Sequence, residues 1–374
     1  MRSSSALPHG YLSAFSEQSG YLNFASYGPP SRQVLETSAA LMAAAAEGEV
    51  GAADRLHTED VRARNTFARL TGFPADRVTL VPGTSYGLMQ LAFGAPGKVL
   101  LSSGEFPANV YPWVRAQQAG VAEVAFMGGP QEFVTPAMVE AALTPDVTAV
   151  AVSAVDFQTG YKADLAGIRA VMGPDRLLLV DAIQGFSVID IDWTVADAIV
   201  TGAQKWVRGG WGAGAMAFSE AGLERIRPLG AGWTGVVDPS VYDGQEHESR
   251  ADALKFNVTN LSPFATGAFA AALELIEEAG VGPIAAQVAS AADTLAGLLE
   301  NAGVDVLSPR EDHERASIVV AGFPDGNAAA AHADLAMNGI SATLHGAHRI
   351  RFSVHASTAQ ESLAHAALVL AGFA

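Results

Sequence analysis

Short apolar runs alternate with helical stretches along the first two thirds of this chain, and that alternation limits its architecture more than any other feature. The runs fall at residues 78–81, 99–101, 121–126, 147–155, 177–180 and 215–218. They are largely continuous in apolar character instead of switching between apolar and polar, as expected of strands covered on both faces. Helical segments between such strands imply a mostly parallel sheet with helices packed on it, an α/β fold. Local signals agree: Thr135 precedes Pro136 as a helix cap, and Asp164 is placed to cap a helix that begins at Leu165. From about residue 262 the pattern changes. Alanine-rich helical stretches at 262–279 and 284–301 lead to an apolar run at 317–320, a helix near 328–337 and a strand at 349–354. Thr358 and Glu361 then match a capping box that would open a last helix. The expected division is a large domain at 21–250 and a smaller α/β domain made of 1–20 and 251–374, with the glycine- and charge-rich span 238–252 at the boundary.

Composition narrows the function. With 374 residues, 49% hydrophobic and 16% charged, the chain can build a large buried core. A net charge of −17 disfavours nucleic acid and anionic membranes as partners. The first residues lack the apolar core of a signal peptide, and no run is long enough to span a bilayer, so the expectation is a cytoplasmic protein. The absence of cysteine removes disulfides, thiolate metal sites and thiol nucleophiles. The nine histidines have no metal-ligand spacing, and His345, His348 and His355 are expected in surface or supporting positions, with no metal site.

The chemistry concentrates where the fifth run ends. Asp181 follows that run directly, Gln184 comes three residues later, and Lys205-Trp206 sits in a glycine-rich stretch after Thr201-Gly202. A strand-end carboxylate with a lysine in a permissive loop suits pyridoxal phosphate. The carboxylate stabilises a protonated pyridine nitrogen by about 4 kcal/mol at contact distance in a partly screened site. The lysine carries the cofactor aldehyde once its surroundings expose the free amine. Gln184 adds a neutral donor.

Asp181, Gln184, Lys205 and Trp206 resemble, in order and spacing, the class V aminotransferase family of fold-type I pyridoxal phosphate enzymes. That family includes cysteine desulfurases, selenocysteine lyases, kynureninases and isopenicillin-N epimerase-like proteins. The resemblance implies a seven-stranded, mostly parallel sheet in the large domain, a smaller C-terminal domain, a homodimer and an amino-acid substrate. It also assigns roles along the chain. Thr84 and Ser85, in the turn Gly83-Thr84-Ser85 between a strand and a helix, would hold the cofactor phosphate, with Gln204 reaching the same group. The segment from Glu105 through Phe106, Pro107 and Asn109 to Tyr111-Pro112-Trp113 places Phe106 over the pyridine ring, where desulfurases carry histidine. Several relatives place an asparagine that contacts cofactor or substrate where Phe157 stands, and Gln158 beside it is the candidate to take over that contact with the substrate. Arg351 matches the arginine that binds the substrate carboxylate, with Arg349 on the same strand face as an alternative. Asn260 matches a residue that reaches the phosphate of a neighbouring subunit, although this loop lacks the usual glycine and proline.

The glycines between Gly209 and Gly214 do not make a dinucleotide fingerprint, because a strand and not a helix follows them. A desulfurase is excluded by the missing cysteine. Transamination of a small or medium amino acid is the expected reaction, with a carbon–sulfur or carbon–selenium lyase, an epimerase, and a non-catalytic binding protein on the same scaffold as alternatives.

Overall fold

The computed structural model describes residues 7–373. Met1–Ala6, on which the expectation about a signal peptide rests, and Ala374 lie outside the described residues.

The larger sheet contains β1 (Val78–Val81), β2 (Lys98–Ser102), β3 (Glu123–Met127), β4 (Val147–Ser153), β5 (Leu177–Asp181), β6 (Ala198–Gly202) and β7 (Gly214–Phe218). Its order is β1-β7-β6-β5-β4-β2-β3. Neighbours from β3 to β6 run parallel, while β7 is antiparallel to both β6 and β1. The alternation of runs and helices predicted a mostly parallel sheet, and the family resemblance implied its seven strands; both are present. β6 was not among the apolar runs because only two residues separate it from the short helical turn Trp193–Val195 and it ends in Thr201-Gly202. The C-terminal ends of β1, β2, β4, β5 and β6 share one edge, where open α/β sheets take ligands. Val81, Ser102, Ser153, Asp181 and Gly202 therefore mark a single rim.

The second sheet is antiparallel, ordered β10-β11-β9-β8, with β8 (Asp305–Val306), β9 (Ile318–Gly322), β10 (Thr343–His345) and β11 (Arg349–Ser353). β8 and β10 are too short to leave a periodic signal. Alternation sorts the faces: Val319, Ala321, Ile350 and Phe352 pack in one core with the helices Val281–Asn301 and Gln360–Leu370. Ile318 and Val320 join the core of the large sheet instead.

Packing does not follow the sequence boundary at residue 250. The helix Pro263–Ala279, beyond that boundary, lies against Arg32–Glu47 and Thr58–Thr71, with Phe269 and Phe67 ring centroids 6.4 Å apart. Its nearly continuous apolar surface needs cover on several sides.

The caps at Thr135 and Asp164 are present, accepting from the amides of Met138 and Gly167. The capping box at Thr358 is not. Ala359 is the N-cap of the last helix, and Thr358 Oγ1 instead accepts from the His355 amide at 2.9 Å. His355 is fully buried and draws the preceding turn inward, so the hydroxyl serves the turn and not the helix.

Candidate active site

Three of the strand ends on the rim carry polar side chains, Ser102, Ser153 and Asp181. Asp181 closes β5, is buried, and accepts the Ile183 amide through Oδ1 at 2.9 Å. Burial pushes its carboxyl up to about 6; that hydrogen bond and the positive charge of Lys205 work in the opposite direction. Lys205, in the loop after β6, is driven down to about 8 by burial, opposed by the negative charge of Asp181 and assisted by the positive charge of Arg351. The two groups thus sense each other across one small volume. Lys205 Nζ stands 5.5 Å from the centre of the Phe106 ring.

Phe106 is no core aromatic. The residue is 40% exposed, and its ring meets Phe157 edge-on at 5.0 Å beside the lysine. Trp113 is wholly buried, and the motif around it has a structural reason. Trp113 Nε1 donates to Asn109 Oδ1 at 3.2 Å, and Asn109 Nδ2 donates to Glu105 Oε2 at 3.1 Å. Glu105 in turn accepts the Ser153 amide at 2.9 Å and the Ser153 hydroxyl. Ser153 faces Asp181 across β4 and β5. This ladder fixes the loop that carries Phe106. Burial pushes Glu105 up to about 7, and the Asp181 charge adds to the rise.

At the other end, Gly83 precedes the helix Thr84–Gly94, whose first amides have no intrahelical acceptor. Thr84 Oγ1 is buried and without a hydrogen-bond partner. A Cβ on Gly202 would collide with both Gln204 Oε1 and Thr84 Oγ1, so these two side chains and the end of β6 converge. Ser85, by contrast, is exposed.

Gln184 is committed within the protein: Nε2 donates to Ala25 O at 3.1 Å and Oε1 accepts from Trp206 Nε1 at 2.8 Å. It braces the residue next to Lys205. Gln158 Nε2 donates to Gly104 O at 3.2 Å, tying the β4 loop to the Phe106 loop. Asn260 is exposed, in a surface hollow shared with Asp60, Arg64 and Asn257.

Arg351 on β11 is buried. Nη1 donates to Phe157 O at 3.0 Å and Nη2 to Ser26 Oγ at 3.0 Å, while Nε is buried with no partner. Burial lowers its pKa to about 10 in spite of Asp156. The three histidines do not share a site. His348 Nδ1 donates to Phe323 O, while His355 packs between Tyr11 and Arg208.

Sequence reasoning missed the N-terminal brace of the lysine loop. The Gly28 amide donates to Gln204 O at 2.8 Å, and Arg208 Nε donates to Pro29 O at 2.5 Å. Arg208, buried at φ 62°, is paired to Glu17 at 2.5 Å and lies 3.7 Å from the centre of the Phe15 ring. Tyr27 stacks on Trp211 at 4.3 Å. An aromatic and glycine cluster at 24–28 was the available signal. A Cβ on Gly28 would overlap Lys205 O, so Gly28→Ala is expected to shift the loop and weaken cofactor binding by about tenfold or more. Fluorescence titration with pyridoxal phosphate checks this, and wild-type affinity would contradict it.

These residues suit a phosphorylated pyridine aldehyde. An orphaned buried hydroxyl lies at a helix N-terminus, a buried carboxylate and a low-pKa lysine lie on the rim between, and an aromatic ring lies beside the lysine.

The aminotransferase class-V family model matches residues 32–370. The uncharacterized aminotransferase YcbU of Bacillus subtilis (strain 168) is 28% identical over 232 residues, covering 59% of this chain and 60% of that protein. A kynureninase of Deinococcus radiodurans is 26% identical over 184 residues, covering 47% of this chain and 45% of that protein. Both alignments span less than two thirds of the relative. Among solved structures, a complex of the cystine C-S lyase C-DES with its product cysteine persulfide has a TM-score of 0.86 at 20% identity, covering 95% of this chain and 98% of that one. The apo cysteine desulfurase of Thermococcus onnurineus NA1 has a TM-score of 0.85 at 17% identity, covering 98% of each chain. At these identities the likeness is one of fold.

Proposed function

The chain belongs to the class-V aminotransferase family, whose cofactor is pyridoxal phosphate, and on that premise we propose that it is an aminotransferase acting on a free amino acid. The observation that carries this reading is the buried carboxyl of Asp181 and the low-pKa Lys205, each acting on the other's charge, with the Phe106 ring beside the lysine.

When bound, the cofactor supplies an electron-accepting ring that permits loss of a proton from the carbon bearing the amino group. The protein provides the rest. Asp181, ionised above about pH 6, presents its negative charge at the floor of the site. Thr84, Gln204 and the first amides of the helix Thr84–Gly94 would hold the cofactor phosphate. The Lys205 amine takes the substrate proton at Nζ and returns it, a role suited to a lysine near pH 8. Arg351 holds the substrate carboxylate, and the loops bearing Phe106 and Phe157 shield the reacting carbon from water. The absence of cysteine leaves no persulfide acceptor on this chain. We also propose a homodimer, in which the exposed Asn260 reaches the partner's site. Among the described residues no helix is long and apolar enough to cross a membrane.

Mixing holoenzyme with an amino-acid panel in a single turnover tests the reaction type. Conversion of the cofactor to its amine form with the matching keto acid is expected. Pyruvate or alanine with the cofactor unchanged would make the protein a lyase, and racemised substrate an epimerase.

Arg351→Lys is expected to raise the dissociation constant for the amino acid by tenfold or more, about 1.4 kcal/mol, and that for the cofactor far less. An ammonium replaces a two-pronged contact. Unchanged amino-acid affinity, read by titrating the visible absorption, would move the role elsewhere.

A further inference from the structure

The carboxylate-binding end of this site carries more positive charge than one carboxylate uses. Arg349 and Arg351 lie two apart on β11 and project to the same side. Across from them on β10 stand His345, opposite Arg349, and Thr343, opposite Arg351. Their side of the small sheet is the one whose Ile318 and Val320 join the large core; on it Arg351 lies close enough for its charge to act on Lys205, and the His345 ring lies beside Phe157 with the charges of both arginines acting on it.

The group is incompletely satisfied. Arg351 is anchored by Phe157 O and Ser26 Oγ, yet its Nε is buried without a partner. His345 Nε2 is also buried without a partner, and its ring centre lies 6.1 Å from that of Phe157. Of the two arginines, only Arg351 makes side-chain hydrogen bonds among the described residues. Opposing negative charge is scarce. Asp156 acts on Arg351, but its Oδ1 already accepts the amides of Gln158 and Thr159 and the Thr159 hydroxyl. Asp305 occupies the same row as Arg349 across Gly322, exposed and unpaired with it.

We propose that the substrate is an amino acid with a second anionic group on its side chain, a carboxylate or an oxidised sulfur acid. Arg351 takes the α-carboxylate, and Arg349 with His345 takes the side-chain anion. This specificity rests on the amino-acid reading above. Phe106 and Phe157 wall the site and favour a short, compact side chain over a basic one, which Arg349 would repel.

Unreactive diacids test the proposal without turnover. Calorimetric titration of the holoenzyme with succinate and glutarate, against succinamate and glutaramate, is expected to give diacids binding at least about tenfold tighter than their monoamides. Arg349→Gln is expected to shrink that ratio to below about threefold, and His345→Gln to reduce it partway. Equal binding of diacid and monoamide, or a ratio that survives in Arg349→Gln, overturns the proposal. A parallel optical titration with aspartate, asparagine, glutamate and glutamine separates the two levels of inference. If neutral and acidic amino acids perturb the cofactor absorption at equal concentrations, the specificity falls and the amino-acid reading stands. If none perturbs it, both fall.

Discussion

Lys205→Ala is expected to keep the fold and lose turnover by on the order of 10⁴-fold, near the upper end of what a positioned acid–base group contributes. The fold survives because no side-chain hydrogen bond or ion pair ties Lys205 Nζ to the protein among the described residues, and Trp206 beside it holds the loop through Gln184. Activity falls because no neighbouring group replaces it: Gln204 cannot move a proton at neutral pH, and Arg351 stays charged. Its titration supplies a second readout. The pKa of Lys205 is lowered to about 8, so the reactive free amine is scarce below that value and dominant above it. Capture of pyridoxal phosphate by the apoenzyme is therefore expected to accelerate as pH rises through about 8, where an ordinary lysine would respond only near 10.4. Stopped-flow absorbance measures this. A rate that rises only above pH 10, or turnover in the alanine variant within tenfold of wild type, would remove Lys205 from the centre of the site.

Asp181→Asn is expected to lower turnover by about 10³-fold, the equivalent of about 4 kcal/mol for a charge pair at contact in a partly screened site. The amide keeps the acceptor that the Ile183 amide needs, so stability changes little. What is lost is the negative charge. The same substitution removes the attraction that supports the charged form of Lys205, so its pKa is expected to fall further. Near-normal turnover would place the ring partner elsewhere. Glu105 is a second buried carboxyl on which the charge of Asp181 acts, and burial together with that charge pushes it up to about 7.

The large sheet and its direction were legible because strands covered on both faces are written as unbroken apolar runs. β8 and β10 were not, since two or three residues carry no period. Asp181 and Lys205 could be found from residue type, order and spacing because Asp181 is the last residue of β5 and Lys205 lies three residues beyond the end of β6, places that one-dimensional order preserves. His345 and Arg349 could be seen as residue types, but their significance comes from the register of β10 on β11. No sequence period encodes that register. Likewise, Gln184 looked like a free donor until its two bonds to Ala25 and Trp206 made it a brace, and Thr358 looked like a cap until buried His355 claimed its hydroxyl.

Borohydride reduction of the purified holoenzyme followed by peptide mapping bears most directly on the site. The phosphopyridoxyl group is expected on Lys205 alone, with loss of the visible absorption. Its appearance on Lys162 or Lys255, or reduction without any labelled peptide, would contradict the account.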